Sequence, residues 1–95
     1  MRSYELMFIV RPDLDEEATK AVIERFQNVI QELDGEVVNL EEMGKRRLAY
    51  EIEDFKEGYY VVINFKSKPE KVQELERQLG LAENIVRHLI VKEDE

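Results

Sequence analysis

The stretch that decides the fold is YYVVINFK, at residues 59–66, in which β-branched and aromatic residues dominate. Such a run is typical of a β-strand, whose side chains point alternately to the two faces of a sheet. The face that we predict to be core carries Tyr59, Val61, Ile63 and Phe65. The opposite face keeps one aromatic side chain, Tyr60, among the smaller or polar Val62, Asn64 and Lys66.

The segment before this strand predicts a partner for it. Residues 36–52, EVVNLEEMGKRRLAYEI, form a second strand pattern, and residues 53–58 form the predicted turn between the two. Because the connection is short, we expect an antiparallel hairpin. Gly44 interrupts the long strand, and a glycine inside a strand is typical of a bulge or bend.

The N-terminal third predicts a strand followed by a helix. Residues 2–10 alternate as a strand, and Arg11-Pro12 ends it, because proline has no N–H for a ladder. Asp13 and Glu16 form a capping pattern, and apolar residues then recur every three or four positions. We predict a helix over residues 15–33, which ends at Asp34-Gly35.

The C-terminal third repeats this order in reverse. Ser67 is the predicted helix cap, with Pro69 in the first turn, and Gly80 is the predicted end. A last strand covers residues 85–92, and a charged tail follows at residues 93–95.

The complete pattern is β-α-β-β-α-β. Two right-handed βαβ crossovers in this order give a four-stranded antiparallel sheet with both helices on one face. The predicted fold class is therefore α+β and ferredoxin-like, in a single domain over residues 1–95. No apolar run approaches the roughly 20 residues of a membrane span, and the N-terminus lacks a secretory cleavage pattern.

Composition argues against catalysis and against a lone nucleic-acid binder. The chain has no cysteine, one histidine, and 22 acidic against 14 basic residues, so its net charge is −8. We expect no enzyme, no metal site and no cofactor, because no side-chain cluster has ligand or acid–base spacing. The loop at residues 11–16 has no glycine and is acidic, which excludes the phosphate cradle of an acylphosphatase.

Basic residues are a minority, and half of the fourteen lie in the predicted strands. Lys45, Arg46 and Arg47 form the one basic triplet, beside Gly44. Such cations either protect the edges of a sheet or bind a polyanion. The residues alone leave both interpretations open.

The stretch from Gly44 to Ile52, GKRRLAYEI, resembles the signature of the bacterial small-subunit ribosomal protein six family. That pattern is Gly, any residue, a basic residue, a polar residue, Leu, Ala or Ser, Tyr, any residue and Ile, and every position is met. Met1-Arg2, Tyr4-Glu5, Pro12, Gly58-Tyr59 and Val91-Lys92 also resemble the family, so the similarity extends over the whole chain.

The resemblance implies a structural, non-catalytic component of the cytoplasmic small ribosomal subunit. It implies binding to 16S ribosomal RNA, in the central domain or platform, as a heterodimer with the basic small-subunit ribosomal protein eighteen. The free protein is expected to be a monomer. The residues expected to contact RNA are Arg2, Lys45, Arg46, Arg47, Tyr60, Arg87 and Lys92.

Three assignments stay open at this point. Leu48, Tyr50 and Ile52 alternate in strand two, which favours core burial, with a partner interface as the alternative. Tyr4 is expected in the core, with an RNA contact at the sheet edge as the alternative. The alternative function is a regulatory module that binds a small molecule at a homodimer interface, usually through a glycine-containing loop.

Overall fold

The computed structural model describes residues 1–93, which form four strands and two helices. The elements are β1 (Arg2–Val10), α1 (Glu16–Glu32), β2 (Glu36–Ile52), β3 (Phe55–Ser67), α2 (Pro69–Leu81) and β4 (Ile85–Lys92). The strands pair antiparallel in the order β2-β3-β1-β4. The predicted α+β ferredoxin-like fold is confirmed. Asp94 and Glu95, which belong to the predicted charged tail, lie outside the described residues.

The core lies between the two helices and one face of the sheet. Alternate residues of β1 and β3 point into it, and Leu6, Phe8 and Ile63 are fully buried there. The amphipathic stripe of α1 brings Phe26 against Phe8, with ring centroids 6.0 Å apart. Tyr4 is buried and stacks on Phe65, which confirms its predicted place in the core.

The N-terminus of α1 begins at a different aspartate from the predicted one. Asp15, not Asp13, is the N-cap, and its carboxylate accepts a hydrogen bond of 2.7 Å from the backbone N–H of Ala18. Asp13 lies in the preceding turn, where it accepts two hydrogen bonds from Arg11. The capping prediction was wrong because Pro12 and Asp13 form a turn, and the helix begins only after that turn, at Glu16.

Helix α2 also departs from the prediction at both ends. Its N-cap is Lys68, without a side-chain cap, because Ser67 is still the last residue of β3. The Ser67 hydroxyl donates to the Lys68 carbonyl instead of capping the helix. Pro69 is the first helical residue, as predicted. Gly80 does not end the helix, which continues to Leu81.

The hairpin between β2 and β3 is longer and tighter than predicted. The turn is Glu53-Asp54, both with positive φ (51° and 68°), as in the turns that match the twist of paired strands. Strand β3 therefore begins at Phe55 rather than at Tyr59. Gly44 does mark a bulge: the register of β2 shifts between Glu42 and Gly44, and Gly44 has φ +83°.

Candidate nucleic-acid interface

The two helices cover one face of the sheet, and neither of them covers the opposite face, which we call the open face. At the hairpin end of this face, four residues form one row across the strands. Gly44 lies opposite Tyr60, Tyr60 opposite Ile9, and Ile9 opposite Arg87. The row therefore presents an aromatic ring and an arginine.

Arg46 extends this basic end of the open face. It pairs with Gly58, two residues beyond the Gly44–Tyr60 pair, so it lies on the same face as Tyr60. The structure thus brings together three of the seven predicted site residues: Arg46, Tyr60 and Arg87. Tyr60 is half-buried, and both arginines are exposed.

The other four predicted residues lie on the helix side of the sheet. Lys45 pairs with Tyr59 and Arg47 with Glu57, so both point away from the open face at the hairpin end. Arg2 pairs with Ser67 and Lys92 with Tyr4, which places them at the opposite end of the sheet. The seven residues therefore do not form one continuous patch.

The predicted cations are available to an external anion. Arg2, Lys45, Arg46, Arg47, Arg87 and Lys92 are all exposed. The ion pairs found within residues 1–93 join other cations, namely Arg11, Lys20 and Arg77, to carboxylates. Guanidinium and ammonium groups without a carboxylate partner are suited to phosphate contacts, which position RNA rather than read its bases.

Apolar side chains fill the middle of the open face. Val62 pairs with Met7, and Met7 pairs with Leu89, forming the next row across β3, β1 and β4. Leu89 is 53% exposed, and its neighbour on this face, Val91, is 46% exposed. We did not predict this apolar strip. The sequence signal for it is that β1 and β4 carry apolar residues on this second face as well, Met7 in β1 and Leu89 and Val91 in β4.

The signature residues of β2 do not enter the helix-side core. Leu48 is buried, at 8% exposure, but against the open face, and Tyr50 is 61% exposed. The prediction of core burial is therefore wrong for Tyr50. Leu48 is buried as predicted, but it is not part of the core cluster between the sheet and the helices. Ile52 is half-buried.

A cavity of about 270 Å³ lies between the hairpin and the open face. Its walls are mainly apolar, and the open-face arginine Arg87 contributes to them. The lining includes Met7, Ile9, Leu48, Ile52, Tyr60 and Leu89.

Two ionisable pairs near the hairpin end show shifted pKa values. The hydrogen bonds from Arg11 hold the pKa of the Asp13 carboxyl below its usual range. Burial raises the pKa of Tyr59, and its hydrogen bond of 3.0 Å to the Glu42 carboxylate raises it further. Both pairs lie outside the basic end of the open face, where Arg46 donates a hydrogen bond of 3.5 Å to the backbone carbonyl of Met43.

The described part of the chain holds neither a cluster of metal ligands nor a membrane-spanning helix. Among residues 1–93, no three metal-ligating side chains come together. In the same part of the chain, neither helix has the length and apolar character of a membrane span.

The fold and the open face together define a ferredoxin-like module with both helices on one face of its sheet. A model of the family described as ribosomal protein S6 matches residues 3–92. The small ribosomal subunit protein bS6 of Carboxydothermus hydrogenoformans is 50% identical over 94 residues, which is 99% of this chain and 98% of the relative. The chain belongs to the ribosomal protein S6 family.

Solved structures agree with this assignment. The crystal structure of 30S ribosomal protein S6 from Thermotoga maritima superposes with a TM-score of 0.93 at 38% identity, over 97% of this chain and 87% of the other. The C-terminal domain of MgtC from Mycobacterium tuberculosis matches with a TM-score of 0.69 at 13% identity, over 100% and 90%. The second match shows only a shared fold. Family membership makes the chain a component of the small ribosomal subunit, and hence of the cytoplasmic ribosome.

Proposed function

We propose that this chain is a non-catalytic, single-domain component of the small subunit that binds 16S ribosomal RNA together with small-subunit ribosomal protein eighteen. The observation that carries the proposal is the composition of the open face. An arginine and a tyrosine, Arg46 and Tyr60, lie at one end of an uncovered apolar strip. Cations and an aromatic ring suit RNA, and the strip suits a protein partner.

The overall charge supports a shared interface. Phosphate neutralisation provides much of the affinity for RNA, and a chain with net charge −8 provides little of it alone. A basic partner supplies the missing charge and is attracted to the acidic chain. Only a few of this protein's own cations then need to reach the RNA.

The placement of the cations divides the proposed contacts into two groups. Arg46 and Arg87 share the open face with Tyr60, so one RNA segment can reach them together. Lys45 and Arg47 belong to the helix side, and Arg2 and Lys92 to its far end. These four residues require the RNA to pass round an edge of the sheet. Tyr60 stacks on a base or packs against the partner.

The test is binding to a 16S central-domain RNA fragment, with and without protein eighteen, at about 50 and 200 mM salt. We expect tight and salt-sensitive binding only when the partner is present, because a protein with six to ten phosphate contacts loses roughly 10³–10⁵ in affinity over this range. The control replaces protein eighteen with another ribosomal protein of similar basic charge. It tests whether any cationic protein neutralises the phosphates equally well.

Two outcomes would change the proposal. Tight binding without the partner would retain the RNA function and remove the argument for shared charge. No binding in either condition would contradict the proposal and favour the small-molecule module, for which thermal stabilisation by a metabolite and a homodimer in sedimentation are the signs.

A further inference from the structure

The outer part of the β2–β3 hairpin has no third strand beside it. Strand β1 ends at the Val10–Tyr59 pair, so residues 46–58, which we call the outer hairpin, pair only with one another. An isolated two-stranded hairpin is marginally stable in water. Contacts other than the sheet ladder must therefore fix its direction.

A large bulge weakens the ladder of the outer hairpin further. Between the pairs Arg47–Glu57 and Ile52–Phe55, strand β2 has four residues, 48–51, whereas β3 has only Lys56. The extra residues carry Leu48 and Tyr50 out of the regular pairing. A bulge bends the strand that contains it. Leu48, Tyr50 and Ile52 line one cavity together with Met7 and Leu89 of the open face, so this segment leans over that face.

The base of the outer hairpin is anchored by apolar contacts. Leu48 is buried against the open face, and Ile9 occupies the space beside Gly58. A Cβ at Gly58 would lie 2.2 Å from Cγ2 of Ile9, so only glycine permits this approach. These contacts end near Leu48, because Tyr50 beyond it is largely exposed.

Beyond that anchor, an arginine holds each arm of the outer hairpin. The guanidinium carbon of Arg87, from β4, lies 5.9 Å from the ring centroid of Tyr50, and its Nη1 donates a hydrogen bond to the Tyr50 hydroxyl. The guanidinium carbon of Arg11, just after β1, lies 5.5 Å from the ring centroid of Phe55. Both distances are those of cation–π contacts.

The two arginines are themselves fixed by the body of the protein. The Arg11 side chain donates hydrogen bonds of 3.1 and 2.9 Å to Asp13, and its backbone N–H donates to the carbonyl of Asn84. Arg87 is held by the ladder between β4 and Ile9 of β1. Arg87 therefore links one arm of the outer hairpin to β4, and Arg11 links the other arm to the loops that follow β1 and precede β4.

We propose that Arg87 and Arg11 are positioning residues, which act through Tyr50 and Phe55 to hold the outer hairpin at one angle over the open face. They thereby fix the part of the outer hairpin beyond Leu48, next to the surface that carries Arg46 and Tyr60. The effect of this positioning on RNA binding rests on the proposed function, whereas the fixed angle of the outer hairpin can be tested without RNA. This role of Arg87, which acts through Tyr50, takes the place of the phosphate contact that the family resemblance implies for it.

The first test is amide hydrogen exchange of the full chain without RNA. We expect Arg87→Ala and Arg11→Ala to accelerate exchange across residues 46–57 at least tenfold, while the amides of β1 keep the wild-type rate. Arg25→Ala is the control, because Arg25 stacks at 5.1 Å on the neighbouring Phe26 of α1 and does not touch the hairpin. Hairpin exchange unchanged in both variants would overturn the proposal.

Tyrosine variants test whether Arg87 acts through the ring. Tyr50→Leu removes the ring, whereas Tyr50→Phe keeps it and loses only the hydroxyl. We expect Tyr50→Leu to accelerate exchange as much as Arg87→Ala, the double variant to be no faster than either, and Tyr50→Phe to lie nearer the wild type. If the accelerations of exchange in the two single variants multiply in the double variant, the two residues act independently, which would contradict the proposal.

The salt dependence of RNA binding separates positioning from phosphate contact. With protein eighteen present, we expect Arg87→Ala to bind more weakly at both salt concentrations with an unchanged slope. A slope reduced by about 0.9 with normal hairpin exchange would make Arg87 a phosphate contact instead. If the wild-type protein does not bind, the proposed function fails, but the exchange results still decide the role of the arginines.

Discussion

At the scale of single residues, strand alternation decides what the basic triplet can contact. Lys45, Arg46 and Arg47 are adjacent in sequence, but only Arg46 shares the open face with Tyr60. Alternation within β3 was enough to predict the faces of Tyr59 and Tyr60. It does not predict the face of Arg46 from the middle of β2, because the bulge between Glu42 and Gly44 reverses the alternation set by Leu40 and Glu42.

The corresponding prediction concerns Arg46→Ala. We expect this substitution to reduce the slope of log affinity against log salt by up to about 0.9 in the complex with RNA and protein eighteen, because one phosphate contact is lost. Arg25→Ala removes the same charge from the helix side of the molecule and should leave the slope unchanged. Filter binding over a salt series measures both slopes. An unchanged slope in Arg46→Ala would remove it from the proposed contacts.

At the scale of elements, the sequence predicted which segments are helices and strands but not all of their ends. Periodicity identified α1 and its apolar stripe, since burial follows the spacing of Val22, Phe26 and Val29. The start of a helix depends on which of several nearby polar side chains accepts a hydrogen bond from a free backbone N–H group. Asp13 and Asp15 are both reasonable caps by type, and only the turn after Pro12 decides between them.

Substitution of the two aspartates checks this correction. We expect Asp15→Ala to lower the free energy of unfolding by about 1 kcal/mol, because the N–H of Ala18 loses its side-chain acceptor. Asp13→Ala should have the smaller effect, since its carboxylate bonds only the exposed Arg11 side chain. Urea denaturation of the two variants gives the comparison. A larger loss in Asp13→Ala would restore Asp13 as the helix cap.

At the scale of the whole molecule, the order of elements puts both helices on one side of the sheet and leaves the other side without a helix. The ferredoxin-like topology follows from the β-α-β-β-α-β pattern, and so does the existence of an open face. The hairpin that leans over this face does not follow, because its direction depends on a bulge and on distant contacts with Arg11 and Arg87. Such contacts leave no periodic signal in the sequence.

We propose that the protein binds its ribosomal partners through the open face. Substitution of two exposed leucines tests this proposal. Leu89, 53% exposed, lies on the open face, and Leu81, 68% exposed, lies at the end of α2 on the helix side. The same change, Leu→Glu, can therefore be made on either side with circular dichroism to confirm folding. Neither side chain belongs to the core.

The measurement is the affinity of each variant for the RNA fragment in the presence of protein eighteen. We expect Leu89→Glu to weaken assembly at least about tenfold, or ~1.4 kcal/mol, because a charge enters the apolar strip. Leu81→Glu should assemble like the wild-type protein. Wild-type affinity in Leu89→Glu, or an equal loss in both variants, would contradict the assignment of the open face as the binding surface.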